Sequence, residues 1–172
     1  SDFKDSFLAF FYRICYTFLN VPEIRGSNMN RLTKLNSVFT DGQNYKYLLL
    51  SIFITGLSYG LYKGMLDNFL AEIVGMGEMD RGITEFFREL PGILLVLILA
   101  AFFMFSAETM YKAGALIMMA GMAMHAILPP SKFLAILAIC VYSLGEHIQI
   151  GMKSTLTLGY ARTGLGGSAL GI

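Results

Sequence analysis

Three clusters of charged side chains interrupt otherwise apolar stretches of this sequence, and any chemistry has to sit there. Lys63 and Asp67 lie four residues apart inside YLLLSIFITGLSYGLYKGMLDNFLAEIVG, Tyr47 to Gly75. Glu85, Arg88 and Glu89 follow at i, i+3 and i+4, one helical stripe that Gly92 continues. Glu146, Gln149 and Lys153 fall at i, i+3 and i+7, within about 60° of one another, while His147 points about 100° away from Glu146. Charges in apolar surroundings must be paired or hydrated, so these belong inside a helix bundle or beside a water-filled cavity, where they would line a path for a polar solute or an ion. The structural alternative is a solvated helix end for Glu85, Arg88 and Glu89, and an interhelical hydrogen bond for Glu146. No nucleophile–base pair, metal-ligand spacing or phosphate loop is present, and GLGG, Gly164 to Gly167, follows no strand, so no enzyme, metal site or cofactor is expected. MMAGMAMH, Met118 to His125, offers thioethers that suit copper(I), but methionine is more simply a flexible packer.

The elements that position these residues are set by composition. The chain has 172 residues, 55% hydrophobic and 15% charged, with a mean hydropathy of +0.60. A soluble chain carries about 25% charged residues, so the class is integral membrane. A net charge of +1, with no basic cluster outside the N-terminal arm, argues against nucleic acid. Cys15 and Cys140 imply neither a disulfide framework nor a metal site, and Cys140 reads as packing. SDFKDSFLAFF lacks the basic start and cleavage site of a secretory signal, so no processing is expected. With no tryptophan, Tyr45, Tyr47, Tyr111 and Tyr160 are the expected interfacial anchors.

About 20 apolar residues cross a bilayer, and four runs qualify, at about 47–74, 82–105, 112–128 and 133–160. Pro129 and Pro130 end the third. In the first, Gly56, Gly60 and Gly64 recur every four residues; Lys63 falls about 20° from Gly56, and Asp67 about 20° from Gly56 and Gly60. That face is expected to admit a neighbouring backbone and to hold the ion pair. Gly114 and Gly121, seven apart, mark a close-packing face of the third run. Ahead of the spans, 1–44 reads as a cytoplasmic arm. Its apolar residues between Phe7 and Val21 recur at three and four, too few to span; they fit an amphipathic helix in the membrane interface, stopped by Pro22, or else a helix docked on the bundle. Glu23 to Asn44 is a polar, basic linker. Lys4, Arg13, Arg25, Arg31, Lys34, Lys46, Lys112, Lys153 and Arg162 lie on the N-terminal side, against Arg81 and Lys132 opposite, which puts the N-terminus in the cytoplasm of a plasma (bacterial inner) membrane protein.

The four spans, the glycine-laddered first helix and the short second connection resemble the first four helices of a major facilitator superfamily transporter over about residues 45–172. Glu108, Thr109, Met110, Tyr111 and Lys112 resemble the acidic-to-basic connection between helices two and three, with Tyr111 where glycine is expected; FRELPGILLVL, Phe87 to Leu97, is similar to bacterial members. SLGEHIQIGMKSTLTL has no arginine, a departure from proton-coupled drug exporters. The expected fold class is thus an all-α polytopic membrane protein, four transmembrane helices of such a bundle preceded by an amphipathic helix. The resemblance implies alternating access around a midplane site, with Lys63 and Asp67 in helix one and Glu146, His147 and Gln149 in helix four as pathway candidates, and Glu108 and Lys112 as a cytoplasmic gate. The implied function is secondary transport of a small polar or charged solute, with or without a coupling ion (proton or sodium). Four helices do not make that machine, so the remaining helices are expected from the same gene or other chains, with 168–172 as the first turn of a fifth. The alternative is a non-transporting scaffold or sensor whose intramembrane charges are structural.

Overall fold

The computed structural model describes residues 37–40 and 44–172, so the expectations for the arm before Ser37, including the Phe7–Val21 helix, lie outside the described residues. The described residues are mostly helical: α1 Asn44–Asn68, continued by a π-helical turn Phe69–Ile73, then α2 Glu78–Ala101, α3 Ala107–Ile127, α4 Lys132–Tyr160 and a short α5 Gly166–Leu170. Three stretches, Asn44–Ile73, Ala107–Ile127 and Lys132–Tyr160, are long and apolar enough to cross a membrane. Phe53, Ile93, Val96, Leu97, Phe103 and Phe133 are each two-thirds or more exposed, a surface that suits lipid and would be costly in water. This is a membrane protein.

Local chemistry moves the helix ends from where the apolar runs alone put them. The Asp80 carboxylate accepts the Gly77 N–H at 3.1 Å, so α2 begins at Glu78, earlier than the expected 82. It stops at Ala101 instead of 105, because Ser106 takes the N-cap of α3, its hydroxyl accepting the Thr109 N–H at 3.2 Å. Glu108 to Lys112 therefore occupy the first turns of α3 instead of the connection before it. Ser131 caps α4 in the same way, through the Leu134 N–H. At the end of α1 the π turn brings Phe69 and Leu70, adjacent in sequence, both into the core, and Gly75, at φ +71, reverses the chain.

α4 is the axis of the bundle, packed against α3, α2 and α1. The α3–α4 seam is held close by glycines: a Cβ on Gly121 would lie 2.5 Å from the Tyr142 nitrogen, and one on Gly145 would collide with the Gly114 carbonyl oxygen. Here the expectation for Gly114 and Gly121 agrees with the backbone contact. The expected packing face of α1 meets no helix among the described residues. A Cβ on Gly56, Gly60 or Gly64 would meet no atom within 4 Å among the described residues, because α1 turns Tyr62, Leu66 and Phe69 inward instead. Those three join Met118, Met122, Ile139 and Tyr142 in the main core, so Met118 and Met122 act as packing residues. At the opposite end Phe39 stacks on Tyr45 at 4.9 Å, and the segment before α1 is tied to the end of α4 by the Thr40 and Arg162 N–H groups, which donate to the Tyr160 and Val38 carbonyls at 2.9 Å each.

Candidate functional site

Two stripes of identical spacing face each other across the groove between α1 and α4. Ile52, Gly56, Tyr59 and Lys63 follow i, i+4, i+7 and i+11 on α1, with Thr55 beside Gly56; Tyr142, Glu146, Gln149 and Lys153 follow i, i+4, i+7 and i+11 on α4. Between them lies a cleft of about 350 Å³, walled by Gly56 and Tyr59 on one side and Glu146, Gln149 and Lys153 on the other, with Tyr111 and Met118 of α3 as its floor. Glu146 Oε2 is buried without a hydrogen-bond partner among the described residues, and so is the hydroxyl of Tyr142, one turn away on the same face. Tyr142 is held by stacking on Tyr62 at 4.1 Å. Gln149 is committed: its Nε2 donates to the Tyr111 carbonyl at 3.4 Å.

The expected α1 charges part company. Lys63 is half-buried and close enough for its charge to bear on Glu146, as do those of Arg88, His147 and Glu89. Asp67 is exposed, and the expected Lys63–Asp67 ion pair does not form. The reason is helical phase: Leu66 occupies the core-facing position, which turns its neighbour Asp67 outward.

On α2, Arg88 is clasped by two carboxylates of its own helix, Glu85 at 2.6 Å and Glu89 at 2.6 Å. Ion pairing between half-buried and exposed groups of this kind satisfies all three without involving the cleft. His147 turns to α2 rather than toward Glu146. Its Nδ1–H donates to the Ser143 carbonyl at 2.9 Å, its Nε2 is 3.7 Å from Glu89, and its ring fills the space a Cβ on Gly92 would need, 2.5 Å from Nε2. Pro91 has no N–H to give the Phe87 carbonyl, and the Cys140 thiol supplies that donor from α4 at 3.4 Å; the Ser143 hydroxyl donates to the next carbonyl, Arg88. Cys140 thus does more than pack.

A second cleft of about 300 Å³ opens toward the α1 N-terminus, lined by Asn44, Tyr47, Ser51, Glu108, Lys112 and Tyr160 among others. Glu108 accepts the Tyr160 hydroxyl at 2.6 Å, linking the start of α3 to the end of α4, and Lys112 is exposed. Tyr111 borders both clefts, and Ser51 donates to its hydroxyl across the α1–α3 gap at 2.9 Å. Tyr59, Tyr62 and Tyr142 were not among the residues expected at the site, although the i+4 relation of Tyr142 to Glu146 was a usable signal. Tyr62 and His125 Nε2 lie 3.0 Å apart in the core, joining α1 to α3. No set of three or more His, Cys, Asp or Glu comes together as metal ligands among the described residues.

No protein-family model, curated protein or solved structure matches the chain.

Proposed function

We propose that the chain is part of a secondary transporter of the major facilitator type, moving a small polar or charged solute across the plasma membrane by alternating access. One observation carries the reading: a cleft of about 350 Å³ between the first and last spanning helices, with the buried Glu146 Oε2 at its wall lacking a hydrogen-bond partner among the described residues. A carboxylate in that position is costly unless a solute, an ion or water completes it. In this reading α2 is the second of four spans, its charged first turns Glu85, Arg88 and Glu89 lying toward the outer interface and its N-terminal neighbour α1 rising from the cytoplasm. The cleft near Glu108 and Lys112 is the cytoplasmic vestibule, with the Ser51–Tyr111 hydrogen bond between it and the deeper cleft. Further helices, from the same gene or other chains, complete the machine.

Cells expressing the gene are expected to accumulate or extrude at least one solute from a panel of labelled polar and charged metabolites, and Glu146→Gln is expected to lower that flux to the vector background at matched expression. Unchanged flux in Glu146→Gln removes the assignment. A scaffold or sensor is the second reading, favoured by α2, where Arg88 is already held by Glu85 and Glu89. It expects Arg88→Gln to impair assembly and Glu146→Gln to leave function intact.

A further inference from the structure

The cleft between α1 and α4 presents two unlike charges along a single stripe of a single helix. Glu146 and Lys153 are seven residues apart, which places them on one face and about 10 Å apart along the axis. Both line the same cleft. Neither enters an ion pair among the described residues. The charges bearing on Glu146 from the packed helices are Arg88, His147, Lys63 and Glu89, and none contacts it: Arg88 is occupied by Glu85 and Glu89, and His147 faces α2. Between the two ends the wall is neutral. Gly56 leaves its side of the cleft open, with no atom within 4 Å of a Cβ there, and Ile52, Ile150 and Met118 supply apolar surface.

A solute with one charge would engage only one end of the cleft, and a dication or dianion would meet a like charge at the other. Resting on the transport reading above, we propose that the solute class is zwitterionic: an amine that docks on Glu146, an anionic group that docks on Lys153, and a neutral body spanning the distance between them. The ammonium donates to the Glu146 carboxylate, whose Oε2 lacks a partner among the described residues, and the anion accepts from the Lys153 ammonium at the exposed end of the cleft. The class therefore has a length as well as a charge pattern.

The test is binding to the full chain purified in detergent, measured by isothermal titration with water-soluble probes. 8-Aminooctanoate, whose extended chain matches the separation, is expected to bind about tenfold tighter than 4-aminobutanoate, and about tenfold tighter than 1,8-diaminooctane or octanedioate of equal length. Lys153→Gln, an exposed position where folding is not at stake, is expected to abolish the preference over 1,8-diaminooctane; Glu146→Gln is expected to abolish the preference over octanedioate. Equal affinity for all four probes, no binding by any, or a length preference untouched by Lys153→Gln overturns the proposal. Exchange of labelled 8-aminooctanoate in proteoliposomes separates the two readings. Binding without exchange leaves the zwitterion class standing and removes transport, while exchange of singly charged solutes with no zwitterion preference does the reverse.

Discussion

Two sets of glycines, both on apolar helices, end in opposite surroundings. On α3 and α4, Gly114, Gly121 and Gly145 bring two backbones into contact, with the Tyr142 and Met118 nitrogens 2.5 Å from where Cβ atoms would stand on Gly121 and Gly145. On α1, Gly56, Gly60 and Gly64 face open space among the described residues. In lipid, where burial of apolar surface does not drive helices together, close backbone approach and interhelical hydrogen bonds do most of the joining. The α3–α4 hairpin uses the first. α1 uses the second, through Ser51–Tyr111 and Tyr62–His125, with aromatic stacking at Tyr142. The close-packed pair is the scaffold, and the loosely seated α1 leaves the cleft beside it.

The same substitution on the two faces is the sharpest way to break this contrast. Gly145→Ala places a Cβ against backbone atoms that cannot swing aside, and is expected to lower stability by about 2–3 kcal/mol. Gly60→Ala meets nothing and removes a helix-weakening residue, so it is expected to raise stability by up to about 1 kcal/mol. Thermal unfolding in detergent, followed by circular dichroism, reads both. A loss at Gly60 as large as at Gly145 would mean that the α1 face is packed, and the distinction between scaffold and seated helix would fall.

If α1 is held by polar contacts, removing one must loosen it. Tyr62→Phe keeps the stack on Tyr142 but leaves the buried His125 Nε2 without its hydroxyl, at an expected cost of about 1–2 kcal/mol. His125→Leu in the Tyr62→Phe background should cost less than the sum of the two single changes, since the second substitution removes the group that the first left unsatisfied. Additive losses would show that the pair is not what seats α1.

How much of this was legible in the sequence follows from which forces are local. Span length and hydropathy are local, so Asn44–Ile73, Ala107–Ile127 and Lys132–Tyr160 were all recognisable as apolar runs, and the Glu146, Gln149 and Lys153 stripe needed only the helical period. Ends shifted where a single capping side chain decides, as Ser106 and Asp80 do. What stayed hidden depends on a neighbour. Glycine spacing is the same whether or not a helix lies opposite, so the α1 ladder was read as a seam. The Lys63–Asp67 spacing permits an ion pair, yet the burial of Leu66 against α3 and α4 turns Asp67 outward. The donor that Cys140 gives to the carbonyl freed by Pro91 requires knowing that α2 lies on α4. The orphaned oxygen of Glu146, which carries the functional reading, is likewise a property of its surroundings and not of its spacing.

The smallest expected effect tests whether the connection ends contribute to holding α2 on the hairpin. Lys132, the first residue of α4, donates at 2.7 Å to Oδ2 of Asp80, which lies in the first turn of α2 and outside the three spanning stretches. The Lys132 hydrogen bond, followed by the Gly77 N–H, holds the Asp80 carboxyl below its ordinary 3.8. Asp80 therefore binds its proton more weakly folded than unfolded. Its contribution is fully present above pH 3.8 and fades as the pH falls through the lowered value. Both groups are open to solvent, so the gain is slight at neutral pH and shrinks further with added salt. Asp80→Asn is expected to flatten the acid limb of the stability curve while shifting the neutral melting temperature little; the variant keeps a side chain able to accept the Gly77 N–H, so the cap survives and the comparison isolates the charge. A neutral-pH loss in Asp80→Asn matching that of Gly145→Ala would place the strength of the bundle in its charged loop and not in the glycine seam.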